Sequence, residues 1–113
     1  MNTKERIKIE EQITRELLLT ANDAGWGCIG YDYGDGFESD TDYESIVSMC
    51  LNVDDLYLIF ASPDKTKKAW VRLVYGNDGY DLVSDYTCTP GFEQLVMDKV
   101  NAYTEKIEER FFA

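Results

Sequence analysis

The sequence predicts an α+β fold: one antiparallel sheet of three to four strands, a meander, covered on one face by N-terminal, middle and C-terminal helices. Three observations carry this reading. Ala69–Thr87 (AWVRLVYGNDGYDLVSDYT) alternates apolar and polar residues on both sides of the tip Gly76-Asn77-Asp78-Gly79, the pattern of a hairpin. Leu56–Ala61 (LYLIFA) is a dense apolar run of strand length just before it. Both ends of the chain carry apolar stripes with helical spacing. The predicted order is α-β-(β)-α-β-β-β-α, in one domain spanning 1–113.

The first helix is expected over Thr3–Ala21. Asn2 or Thr3 caps it, and Glu5 stands in capping-box position to Asn2. Ile9, Ile13, Leu17 and Ala21 recur every four residues, Leu18 widens the stripe, and Asn22-Asp23 with Gly25 ends it. Trp26–Tyr33 is a strand with Ile29, Tyr31 and Tyr33 on one face; its glycines suggest an edge position or a bulge. Gly34-Asp35-Gly36 turns the chain, and Phe37-Glu38 is a stub of a returning strand.

A short helix is expected over Asp42–Leu51, from Tyr43, Ile46, Val47, Cys50 and Leu51, with Thr41 and Glu44 in capping-box spacing. Ser62-Pro63-Asp64-Lys65 is a type I turn joining Leu56–Ala61 to Ala69–Tyr75. Tyr80–Tyr86 then returns beside the latter. It places Asp81, Val83 and Asp85 on one face and Tyr80, Leu82, Ser84 and Tyr86 on the other. Thr89 and Pro90 announce a last helix to about Arg110, with Phe92, Leu95, Val96, Val100, Tyr103, Ile107 and Phe111 on its apolar stripe.

The 113 residues carry a formal net charge of −11, unevenly spread. Residues 19–64 hold ten acids and no base; residues 65–72 hold Lys65, Lys67, Lys68 and Arg72 and no acid; residues 73–98 hold five acids and no base. Such a field disfavours direct contact with nucleic acid or an anionic membrane and favours a basic partner or solubility alone. No apolar run reaches the ~18 residues of a membrane span, and the charged start lacks a signal-peptide core, so a cytoplasmic location is expected. Cys28, Cys50 and Cys88 are odd in number and far apart, which predicts thiols in or near the core rather than disulfides.

The hairpin residues Trp70–Asp81 and Val83–Thr87 resemble a segment of small acidic bacteriophage and prophage proteins, followed there too by a Leu-rich closing helix. The resemblance implies a phage-type accessory protein, and many small phage proteins counter host defence, anti-CRISPR action included. No established activity or functional residue comes with it.

Catalytic chemistry is limited by the absence of histidine, which removes Ser-His and Cys-His pairs. Gly25-x-Gly27-x-x-Gly30 has the letters of a dinucleotide fingerprint but begins a strand instead of ending one. The acids Asp32, Asp35, Glu38, Asp40, Asp42 and Glu44 could be read as a Mg²⁺ or Ca²⁺ site, the basis of a small carboxylate-dependent enzyme or ligand-binding domain. Counted from Asp40, however, an EF-hand glycine position holds Ser45. The leading expectation is therefore non-enzymatic, with no cofactor. Asp32, Asp35, Glu38, Asp40, Asp42 and Glu44, joined by Asp78, Asp81 and Asp85, form an acidic surface that imitates a phosphate array and binds a basic host protein, such as a nucleic-acid-handling defence complex. A second copy covering the open sheet face is a further partner compatible with the pattern.

Overall fold

A computed structural model describes residues 2–112, with side chains for residues 2–110. The elements run α1 (Thr3–Asp23), β1 (Gly27–Asp32), β2 (Glu38–Ser39), α2 (Tyr43–Leu51), β3 (Asp55–Ala61), β4 (Lys68–Val74), β5 (Val83–Tyr86) and, after a π-helical turn at Glu93–Met97, α3 (Asp98–Phe112). The fold class and element order are those expected. The sheet has five strands rather than three to four, all antiparallel, in the order β2-β1-β3-β4-β5. The extra strand is the Phe37-Glu38 stub, shifted by one residue to Glu38–Ser39.

The alternation of β3 and β4 decides which face is core. Leu56, Leu58 and Phe60 in β3, and Ala69, Val71 and Leu73 in β4, are buried, while the residues between them are not. The buried set forms one cluster with Ile9, Ile13, Leu17, Leu18 and Ala21 of α1, with Ile46, Val47 and Cys50 of α2, and with Val100 and Ile107 of α3. All three helices therefore lie on the same side of the sheet, which leaves its other face uncovered by the described residues.

α1 starts as its sequence suggests: the Glu5 N–H donates to Asn2 Oδ1 at 2.8 Å. α2 departs by one residue. Its cap is Asp42, whose Oδ2 accepts from the Ser45 N–H, and Thr41 takes no capping role. β1 carries the expected bulge, between Cys28 and Gly30, but it is not an edge strand, because β2 pairs with Gly30 and Tyr31. A Cβ on Gly30 would fall 2.1 Å from the Glu38 carbonyl oxygen and 2.6 Å from the Phe37 ring, so only glycine lets β2 approach so closely.

The central hairpin is shorter than its sequence pattern. β4 ends at Val74 and β5 begins at Val83, so the connection runs over 75–82 instead of the four residues 76–79. A second bulge explains the changed face. Arg72 pairs with Asp85 and Leu73 with Val83, leaving Ser84 as the extra residue. Val83 consequently shares the core side with Tyr86 and not the outer side with Asp85. Asp81 precedes the strand altogether.

The last helix also starts later than expected. Gly91 sits at φ +91°, which interrupts a helix begun at Pro90, and the Thr89 hydroxyl donates to the Lys68 carbonyl instead of capping. The π-helical turn carries an i→i−5 hydrogen bond from Asp98 to Glu93 and rotates the stripe. Val96 and Met97 become buried, whereas Leu95, expected inside, is 48% exposed. Phe111 lies outside the described side chains. Among the described residues, no helix is long and apolar enough to cross a membrane.

Candidate interaction surface

Two residue rows cross the uncovered sheet face. In the first, Asp32 of β1 opposes Tyr57 of β3, Tyr57 opposes Arg72 of β4, and Arg72 opposes Asp85 of β5. In the second, Gly30, Ile59 and Trp70 oppose one another. Directly opposed residues share a face, so the rows bring acids, aromatic rings and one arginine together. The Tyr57 and Trp70 rings meet edge to face, 5.3 Å between centroids and 77° between planes. Tyr57 is 40% exposed, and Phe37, whose ring lies against Gly30, is 54% exposed. Arg72 Nη2 donates to Asp55 Oδ2 at 2.9 Å, and this contact raises the guanidinium pKa further. Asp32, Asp55, Tyr57 and Arg72 border a shallow depression of about 290 Å³.

The nine acids expected to act together are distributed over five places. Asp32 and Asp85 lie in the first row; Asp32 also holds the Gly34 N–H at 2.9 Å, which fixes the turn after β1. Asp35 is exposed in that turn, and exposed Glu38 on β2 accepts from the Tyr33 hydroxyl at 3.1 Å, which raises the tyrosine pKa. Asp78 and Asp81 are exposed in the β4–β5 connection. Asp40, Asp42 and Glu44 cluster at the start of α2, where each has a task in the fold.

Asp40 accepts from the Ser45 hydroxyl at 2.6 Å and from the Asp42 N–H at 2.9 Å, and these bonds hold its carboxyl below the usual carboxylate range. Asp42 is the helix cap. Glu44 receives both Nη atoms of Arg15, at 2.9 and 3.2 Å, which lowers its pKa and ties α2 to α1. Arg15 also lies 5.4 Å over the Tyr43 ring. With these oxygens engaged, no three of the described Asp, Glu or Cys side chains converge on a point that could hold a metal ion.

The thiols offer no poised nucleophile. Desolvation pushes Cys28 up to about 11 and Cys50 up to about 12. Cys88, expected near the core, is exposed, and the neighbouring Glu93 carboxylate raises its pKa.

Sequence reasoning missed Asp55, Tyr57 and Phe37 as surface residues. Their signal was present, because Asp55, Tyr57 and Ile59 alternate with Leu56, Leu58 and Phe60, but the run reads as continuously apolar when the tyrosine is counted as core. Glu10 was missed as well. It is buried in α1 and receives the Gly76 N–H at 2.7 Å, so it clamps the β4–β5 connection to the helix.

No family model matches the chain, and neither the curated proteins nor the solved structures yield a significant match.

Proposed function

We propose that this chain is a non-enzymatic binding protein of the small phage accessory kind, and that its uncovered sheet face docks on a basic protein surface. The observation that carries the reading is the row Asp32–Tyr57–Arg72–Asp85 beside Trp70: an aromatic centre flanked by carboxylates, in a chain of net charge −11. Aromatic residues supply contact area on a rigid sheet, and the acids steer a lysine- and arginine-rich partner. Arg72 is neutralised by Asp55 and offers little repulsion. The same net charge works against a second copy as the occupant. A host protein that handles nucleic acid, in the cytoplasm, has the matching chemistry.

The acids to alter are those whose carboxylates tie no two elements together; Asp85 accepts from the adjacent Tyr86 N–H. Asp35→Lys with Asp85→Lys should weaken capture of a basic host complex and flatten its salt dependence, and Tyr57→Ala should weaken it at every salt concentration. Pull-down from host lysate with the purified chain, followed by titration of the recovered partner at low and high salt, reads both. A partner bound equally by all variants, or recovery only of further copies of this chain, would sink the reading.

A further inference from the structure

A larger depression lies elsewhere, beside the start of β1, away from the Asp32–Tyr57–Arg72–Asp85 row. It measures about 600 Å³, within the ordinary range for small-molecule sites. It is lined by Leu18 and Leu19 at the end of α1, by Ile46 of α2, and by Gly27 and Cys28 of β1. Leu19, at the end of α1, is half exposed there. β2 pairs with Gly30 and Tyr31, and the Asp40 N–H reaches the Ile29 carbonyl, so the pairing stops short of Gly27 and Cys28 on that side of β1.

Lys65 is the one charged residue among those lining this groove. It stands at φ +62°, a left-handed conformation, and it is the only non-glycine residue with positive φ among those described. The turn that carries it is fixed. The Lys65 N–H donates to the Ser62 carbonyl, Asp64 receives the Ser62 hydroxyl and the Thr66 N–H, and Pro63 packs so tightly on Gly25 that a Cβ there would lie 2.8 Å from Pro63 Cγ. The basic run at 65–68, which interrupts the acidic field, thus places one lysine beside a mostly apolar groove. We propose that this groove binds a small amphiphilic carboxylate, its alkyl chain along Leu18, Leu19 and Ile46 and its carboxylate at Lys65. The charge complementarity is local and opposes the whole-molecule field.

That opposition makes the test sharp. Laurate, kept below its micelle concentration, should bind in calorimetry more tightly than dodecyltrimethylammonium, although the net charge of −11 favours the cation. Affinity should rise by roughly two- to fourfold per methylene from octanoate to laurate. Lys65→Gly relieves the positive φ, so its stability should equal or exceed the parent's while laurate affinity falls about fivefold, the scale of an exposed ion pair. Gly27→Leu, placed where a Cβ meets nothing within 4 Å, should reduce binding by filling the groove. Absence of laurate binding, equal binding of the two head groups, or unchanged affinity in Lys65→Gly would each overturn the proposal.

Discussion

Replacing Glu10 by alanine should loosen the β4–β5 connection without touching the sheet's core. Glu10 Oε2 accepts the Gly76 N–H at 2.7 Å, Arg6 Nε stands 3.6 Å from Oε1, and Arg6 Nη1 donates to the Gly76 carbonyl at 3.4 Å. The Glu10 side chain is 4% exposed and that of Arg6 27%. A charge-assisted hydrogen bond to a buried carboxylate contributes about 1.5–3 kcal/mol. The partly exposed arginine adds no more than about 1 kcal/mol. Glu10→Ala should therefore cost about 1.5–4 kcal/mol, a large share of the ~5–15 kcal/mol of an ordinary domain. Glu10→Gln keeps an acceptor for Gly76 and should lose about 1 kcal/mol. Urea unfolding followed by tryptophan fluorescence measures the loss, and native-state hydrogen exchange at Gly76 locates it. A stability within about 0.5 kcal/mol of the parent for Glu10→Ala, the range of a neutral surface change, would refute the reasoning. So would unaltered protection of the Gly76 amide.

Gly30→Ala should detach β2 from β1 and cost about 1–3 kcal/mol, since the neighbouring Glu38 carbonyl is backbone and cannot simply move aside; loss of exchange protection at the Asp40 N–H, which donates to the Ile29 carbonyl, would show it. Acid should destabilise the fold through carboxylates whose folded pKa is depressed. Asp64, lowered from 3.8 to about 2 by the Ser62 and Thr66 bonds, contributes stability that is present above pH 4 and is lost as pH falls toward 2. Asp64→Asn should make the acid branch of a pH–stability curve shallower, and an unchanged slope would contradict the assignment. A thiol reagent should modify Cys88 first in the folded chain, and more slowly than a free cysteine because Glu93 opposes the thiolate; half-buried Cys28 should follow, and buried Cys50 should react only after unfolding. Mass spectrometry of the modified peptides distinguishes these outcomes.

The sequence by itself determined most of the fold. The stripes Ile9–Ile13–Leu17–Ala21 and Ile46–Val47–Cys50, and the alternation through Val71–Leu73, report local periodicity, which needs no knowledge of neighbours. Pairing geometry lay beyond that reach. The bulge at Ser84 flips Val83 to the core side, and Gly91 with the π-helical turn turns Leu95 outward, because a one-residue change in register is invisible to a pattern that counts residues along one chain. The candidate surface divides in the same way. Its acidic character was legible as charge, but not which carboxylates the fold itself employs. Asp40, Asp42 and Glu44 resemble Asp35 and Asp85 in composition, but their carboxylates fix the start of α2 and tie it to α1, whereas Asp85 accepts from the adjacent Tyr86 N–H. Tertiary structure alone decided that Asp32, Tyr57, Arg72 and Asp85, which come from four strands, stand in one row, since cross-strand neighbours are set by pairing and not by proximity in sequence.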